Sequence, residues 1–89
     1  MAVLVRISAT GMDQATYDQM APNLHPLVKK QPGFIMHVAY PMPDGFAIGE
    51  VWESKAQHEA WFNEFVKPNL PDSNAMTTEY NEIHAIVQP

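Results

Sequence analysis

The sequence predicts an α+β protein of the ferredoxin-like type, with its elements in the order β-α-β-β-α-β. Three observations carry that prediction. Residues 2–8 alternate Val3, Val5, Ile7 against Leu4, Arg6, Ser8, the two-residue period of a strand. Asp44-Gly45 stands between two further strand-like runs, 34–40 and 46–53, and marks a hairpin. Two stretches, one after Asp13 and one after Ser54, repeat apolar residues at helical spacing. With right-handed crossovers, this order gives one four-stranded antiparallel sheet with both helices on one face. The first strand then lies between the third and the fourth.

Taken in order, strand 2–8 ends at Ala9-Thr10-Gly11-Met12, and Asp13 can cap the helix that follows. Tyr17, Met20, Ala21, Leu24, Leu27 and Val28 recur at helical spacing up to Lys30. Pro22 and Pro26 lie inside this run, so a kink, or a split near Met20, is expected. Pro32-Gly33 ends the helix, and 34–40 and 46–53 form the hairpin around Pro41-Met42-Pro43-Asp44-Gly45. Ser54 suits an N-cap, with Gln57 completing a capping box. The second helix runs from Lys55 to near Lys67, where Pro68 stops it. Residues 68–75 read as a loop with room for one helical turn, and 77–87 as the last strand.

The 89 residues make a single domain, 1–89. There is no cysteine, which excludes a disulfide framework and a thiolate metal site. The net charge is −5 and only Lys29 and Lys30 are adjacent basic residues, so no nucleic-acid partner is expected. No apolar run approaches the ~20 residues of a membrane span. The first residues lack a basic start and a long apolar core, so the expected location is cytoplasmic. No phosphate loop or dinucleotide fingerprint is present, and a chain this short does not enclose a flavin by itself; no cofactor is expected.

His58, Trp61, Phe62 and Phe65 fall at i, i+3, i+4 and i+7 and share one face of the second helix. Ile48, Glu50 and Trp52 share one face of the third strand. These two faces are expected to enclose a space lined by a carboxylate, a histidine and aromatic rings. A buried carboxylate needs partners. Arg6 and His84 have the parity to supply them, with Arg6 at the floor of the space. An Arg6–Glu50 pair reads first as a structural ion pair, and otherwise as a device that orients a substrate oxygen or holds a histidine in one tautomer. His58 reads as a half-buried, hydrogen-bonded histidine or as a base, since imidazole exchanges protons near neutral pH. Trp52, Trp61, Phe62, Phe65 and Tyr17 are core residues one by one. As a cluster around a small domain's cavity, some should touch a flat aromatic ligand. His25 faces either the cavity or the solvent, and His37 the dimer side or an edge. Glu50, His58 and His84 could compose a two-His-one-carboxylate metal set, but nothing in their spacing demands it, and no metal is expected.

Two helices cover one sheet face. The set Val3, Val5, Ile7, Ala47, Val51, Ile83, Ala85 and Val87 is expected on the other, where packing against a second copy would bury it.

Gln31-Pro32-Gly33-Phe34, Gly45-Phe46, Glu50-Val51-Trp52-Glu53-Ser54 and a helix carrying His58 and Trp61 resemble, in order and spacing, the antibiotic biosynthesis monooxygenase (ABM) domain of the dimeric α+β barrel superfamily. The resemblance covers nearly the whole chain. It implies a homodimer with a pocket between helices and sheet in each subunit. It also implies a range of activities: cofactor-independent oxygenation of aromatic and quinol compounds, haem degradation, isomerisation, or none. Haem-degrading members share the Trp52-Glu53-Ser54 start and a tryptophan where Trp61 stands. They also carry a histidine ligand after that helix and an asparagine on the first strand. Here 65–70 holds no histidine and Arg6 takes the other position.

Two functions follow as expectations. The first is a cofactor-independent monooxygenase, or an isomerase or cyclase, for a small aromatic, quinol or polyketide-like substrate. His58 would be its base, Glu50 and Arg6 the charged partners, and Trp52, Trp61, Phe62, Phe65, Tyr17, His25 and His84 the substrate contacts. The second is a non-catalytic ligand-binding or interaction dimer of the same fold.

Overall fold

The computed structural model describes residues 2–69 and 76–89. Its elements are β1 (Val3–Thr10), α1 (Gln14–Val28), β2 (Phe34–Met42), β3 (Gly45–Trp52), α2 (Lys55–Trp61) and β4 (Met76–Glu82). The helical path of α2 continues through a π-helical turn, Phe62–Val66, and a 3-10 turn, Lys67–Asn69. The strands form one antiparallel sheet in the order β2-β3-β1-β4, with β1 central as the sequence implies. The remainder of the loop expected over 68–75 lies outside the described residues.

Both helices start where the sequence places their caps. Asp13 Oδ1 accepts from the Thr16 amide at 2.8 Å, and Ser54 Oγ accepts from the Gln57 amide at 3.2 Å. The Ser54 hydroxyl donates in turn to Gln57 Oε1 at 3.0 Å, a side-chain version of the capping box. Gly33 is fixed by two demands at this corner. Its φ is +87°, and a Cβ there would lie 2.2 Å from Gln57 Oε1.

α1 is one helix and is not split near Met20. Pro22 and Pro26 are both exposed, and so is Asp18. The carbonyls of Asp18 and Pro22, which lose their amide partners to the prolines, therefore sit on the wet side, where water can satisfy them.

The hairpin turns at Pro43-Asp44, one residue earlier than the Asp44-Gly45 pair suggests, and Met42 pairs with Gly45. Gly45 is required for a different reason from turn geometry: a Cβ there would lie 2.1 Å from the Ala9 carbonyl oxygen.

The register corrects the face assignment of β1. Directly opposed residues of an antiparallel pair point to the same side. Val5 opposes Glu50, Ile7 opposes Ile48 and Val3 opposes Trp52. Val3, Val5 and Ile7 therefore face the helices rather than the open side, and Val5 and Ile7 join Val28, Trp52 and Trp61 in the core. Leu4, Arg6 and Ser8 face outward, opposite Val51, Gly49 and Ala47. The more β-branched set takes the covered face because burying it gains more and spares Arg6 an unpaired burial. β4 ends at Glu82, so Ile83, Ala85 and Val87 add nothing to the open face; Val87 is 93% exposed.

β2 carries a bulge at Ile35. Phe34 pairs with Trp52, yet Met36 pairs with Val51. The extra residue keeps Phe34 on the core side while turning Met36 outward and His37 inward, opposite Glu50. The open face is thus Met36, Val38 and Tyr40 beside Ala47, Gly49 and Val51, with Leu4 next to Val51. Leu4, Met36, Val38 and Tyr40 are all at least 40% exposed.

Candidate active site

A cavity lies between the covered sheet face and the two helices. Its walls are mostly apolar: Ile7 and Ile48 from the sheet, Met20 and Leu24 from α1, Trp61 and Phe62 from the second helical segment, with Met12 and Met76 beside them. Its volume is about 60 Å³. The π-helical turn sets part of this wall. The Lys67 amide reaches back to the Phe62 carbonyl, which widens the helix where Phe62 and Val66 line the cavity.

One wall is polar and consists of Tyr17, His37, Glu50 and His58. Glu50 is 5% exposed and His58 1%. Glu50 Oε2 accepts from His37 Nδ1 at 2.6 Å, and Glu50 Oε1 accepts from Trp52 Nε1 at 3.0 Å. His58 Nε2 lies 3.4 Å from Oε1, within ion-pair range but without a hydrogen bond. Its other nitrogen, Nδ1, bonds the Tyr80 hydroxyl at 2.8 Å. Tyr80 is on β4 opposite Val5, which turns it inward, and Lys55 Nζ lies over its ring at 4.8 Å.

Burial alone would push the Glu50 carboxyl up. The hydrogen bonds from His37 and Trp52, with the His58 ring 3.4 Å away adding to them, outweigh burial and hold it down at about 2. Glu50 is therefore a fixed negative charge at neutral pH, facing two imidazoles. Burial, then the charges of Glu50 and Asp18, pushes the Tyr17 phenol up. Burial, then Glu59 and Glu50, does the same to Tyr80. Both hydroxyls stay protonated.

Beyond the wall, Tyr17 Oη lies 2.7 Å from His37 Nε2 and 2.8 Å from His25 Nε2. Burial, and next to it His37, lowers the His25 pKa. Tyr17 also stacks on Phe46, with ring centroids 5.1 Å apart.

The residues singled out in the sequence separate into three groups. Glu50, His58, Trp61, Phe62 and Tyr17 line the cavity, and His25 reaches it through Tyr17. Trp52 is fully buried and holds Glu50, while Phe65 stacks on Trp61 with centroids 5.0 Å apart; neither lines the cavity. Arg6 and His84 are elsewhere. Arg6 is on the open face, its Nη2 3.9 Å from Met42 Sδ, because the β1 register turns it away from Glu50. His84 is exposed beyond the end of β4. The carboxylate that needed a partner has imidazoles instead of a guanidinium. Sequence reasoning also placed His37 on the wrong side. Its hairpin partner is Glu50, a pairing set by the turn at Pro43-Asp44 and concealed by the parity of Phe34. Among the described residues, no three His, Asp or Glu are grouped to hold a metal ion, and no helix is long and apolar enough to cross a membrane.

No family model matches the chain, and no curated protein matches it by sequence. Solved structures do. SnoaB, a cofactor-independent oxygenase from Streptomyces nogalater, superposes with a TM-score of 0.64 at 12% identity, over 99% of this chain and 97% of SnoaB. The monooxygenase ActVA-Orf6 of Streptomyces coelicolor, in complex with nanaomycin D, gives 0.66 at 16% identity, over 99% and 91%. The haem-degrading protein Rv3592 from Mycobacterium tuberculosis gives 0.68 at 18% identity, over 99% and 98%. The chain thus has the ferredoxin-like α+β fold shared by these oxygenases and haem-degrading proteins, the fold that its resemblance to the ABM domain implies.

Proposed function

We propose that the protein is a cofactor-independent monooxygenase for a compact hydroxylated aromatic substrate, a quinol or an anthrone-like compound. One observation carries the reading. The apolar cavity has a single polar wall, in which an ionised carboxylate stands beside a buried imidazole whose Nε2 has no hydrogen-bond partner. The Tyr80 hydroxyl can accept from His58 Nδ1–H, which leaves Nε2 with a lone pair to act as base. Glu50, 3.4 Å away, stabilises the imidazolium that results.

Deprotonation of the activated substrate carbon gives a resonance-stabilised carbanion. It passes one electron to dioxygen, and the radical pair combines to a peroxide anion, which takes the proton back from His58. Loss of a second proton from the carbon then breaks the O–O bond. One oxygen stays as a carbonyl and the other leaves as water, with the substrate itself as the reductant. Trp61 and Phe62 supply flat apolar walls, and the enclosed cavity excludes bulk water.

The cavity is smaller than the about 150 Å³ that takes benzene, so substrate enters by displacement of the flexible Met12, Met20 and Met76 side chains. Two of the structures with this fold are oxygenases, which supports the reaction class. The open face of the sheet, apolar along β2 and β3, is read as the contact with a second copy.

Oxygen uptake across a panel of quinols, anthrones and polyphenols tests the function. The wild type should consume oxygen with at least one of them, and His58→Ala should lose about 10²–10⁴-fold in rate. No uptake with any compound would favour a ligand-binding dimer without turnover.

A further inference from the structure

Three titratable groups have no part in the chemistry above: His37, Tyr17 and His25. They form an unbroken line from Glu50 to the surface. We propose that this line is a proton conduit between the cavity and the solvent, with His25 as its outer end. The proposal rests on the reading of His58 as the base.

The hydrogen bonds fix its polarity. Ionised Glu50 only accepts, so the proton in the 2.6 Å bond belongs to His37 Nδ1. Neutral His37 then offers a lone pair at Nε2. Tyr17 has one hydroxyl proton and two imidazole neighbours, at 2.7 and 2.8 Å. It donates to His37 and accepts from His25 Nε2–H. Every donor in this arrangement points inward. His25 is half-buried and lines a second, shallow surface groove with Lys29, Phe34, Ile35 and an edge of His37, so the line opens to solvent there. The charged groups that act on this line are Asp18 and Lys29 from α1 and Glu50 from β3.

The last step of the reaction needs an acid and a base together. One proton must leave the carbon as another reaches the departing oxygen. His58 takes the first. For the second, His37 Nδ1 releases its proton to Glu50, which hands it on to the oxygen in the same event and is ionised before and after. His37 refills at Nε2 from Tyr17, Tyr17 refills from His25, and His25 takes a proton from solvent at Nδ1. Every donor now points outward. The proton held by His58 returns by the same line: to Glu50, to His37 Nδ1, on through Tyr17 to His25 Nε2, while His25 Nδ1 releases one to solvent. One proton enters, one leaves, and the first orientation is restored. Two orientations of one hydrogen-bonded chain, occupied in turn during a cycle, are the property that a purely structural network does not need.

The test has two arms on the full chain. In the free protein, nitrogen-15 NMR of the histidine rings reads the tautomers and the exchange of His37 Nδ1–H with water. The expected wild-type state is Nδ1–H on His37 and Nε2–H on His25, and Tyr17→Phe should slow the His37 exchange about tenfold. In turnover, His25→Ala should slow the rate about tenfold, and added imidazole should restore it in proportion to its concentration. A histidine that only braces the fold is not rescued by a soluble buffer. Unchanged exchange in Tyr17→Phe, or a His25→Ala rate indifferent to imidazole, would overturn the conduit. If no compound is oxidised, the oxygenase reading fails, and the exchange arm still decides the conduit by itself.

Discussion

Replacing Glu50 by Gln keeps the side chain's shape and removes its charge. The carboxyl sits near pH 2 in the fold against an ordinary 4.5, so its charged form contributes about 3 kcal/mol at neutral pH. Gln also has one acceptor for two donors, His37 Nδ1–H and Trp52 Nε1–H. The donor left over adds about 1–3 kcal/mol. The loss at pH 7 should be about 4–6 kcal/mol, which lowers a urea midpoint by roughly 2–3 M at a slope of about 2 kcal/mol per M. The pH dependence supplies the sharper check. Because the folded-state pKa is depressed, the contribution is present above about 4.5 and is lost as pH falls towards about 2. At pH 3 the gap between wild type and Glu50→Gln should have narrowed by about 2 kcal/mol. Urea unfolding at pH 7 and pH 3, at one fixed protein concentration, measures both. A gap below about 1 kcal/mol at pH 7, or one that does not change at pH 3, would refute the argument that imidazole and indole donors hold Glu50 ionised.

Other substitutions probe separate parts of the account. Val51→Asp on the open face should turn a dimer into a folded monomer by sedimentation, whereas Val5→Asp should unfold the chain because Val5 is in the core. A wild type that sediments as a monomer at micromolar concentration would remove the dimer. Gly45→Ala should lower the melting temperature by at least about 8 °C, since its Cβ would strike the Ala9 carbonyl, a backbone atom that cannot move alone. Ser54→Ala should cost about 1 kcal/mol in urea unfolding through the lost cap.

The architecture was legible because each element carried its own local signal: the caps Asp13 and Ser54, the alternation of 2–8, and the hairpin punctuation before Phe46. Glu50 and His58 were legible as neighbours because each is the polar break in an otherwise apolar face, and apolar faces on one side of a sheet must meet. What was not legible depends on pairing between strands. β1 alternates two sets that are each partly apolar, so its own sequence does not choose between Val5 and Arg6 for the covered side. Only the opposition of Val5 to Glu50 decides it. His37 was hidden by the bulge at Ile35, since Phe34 and His37 have opposite parity and yet face the same way. Reading outward from the turn instead of inward from Phe34 would have placed His37 on the same face as Glu50 and Trp52. β4 was overextended because 83–87 goes on alternating after the sheet has ended, and alternation shows capacity for pairing rather than a partner.

The central claim is that His58, backed by Glu50, removes a proton from substrate within this cavity. Anaerobic mixing tests it most directly, because without oxygen the reaction stops at the deprotonated substrate. An anthrone or quinol that the wild type oxidises in air should show the absorbance of its enolate or phenolate when mixed with excess protein, and His58→Ala should leave the spectrum that of the neutral compound. An enolate signal of equal size in His58→Ala would contradict the account.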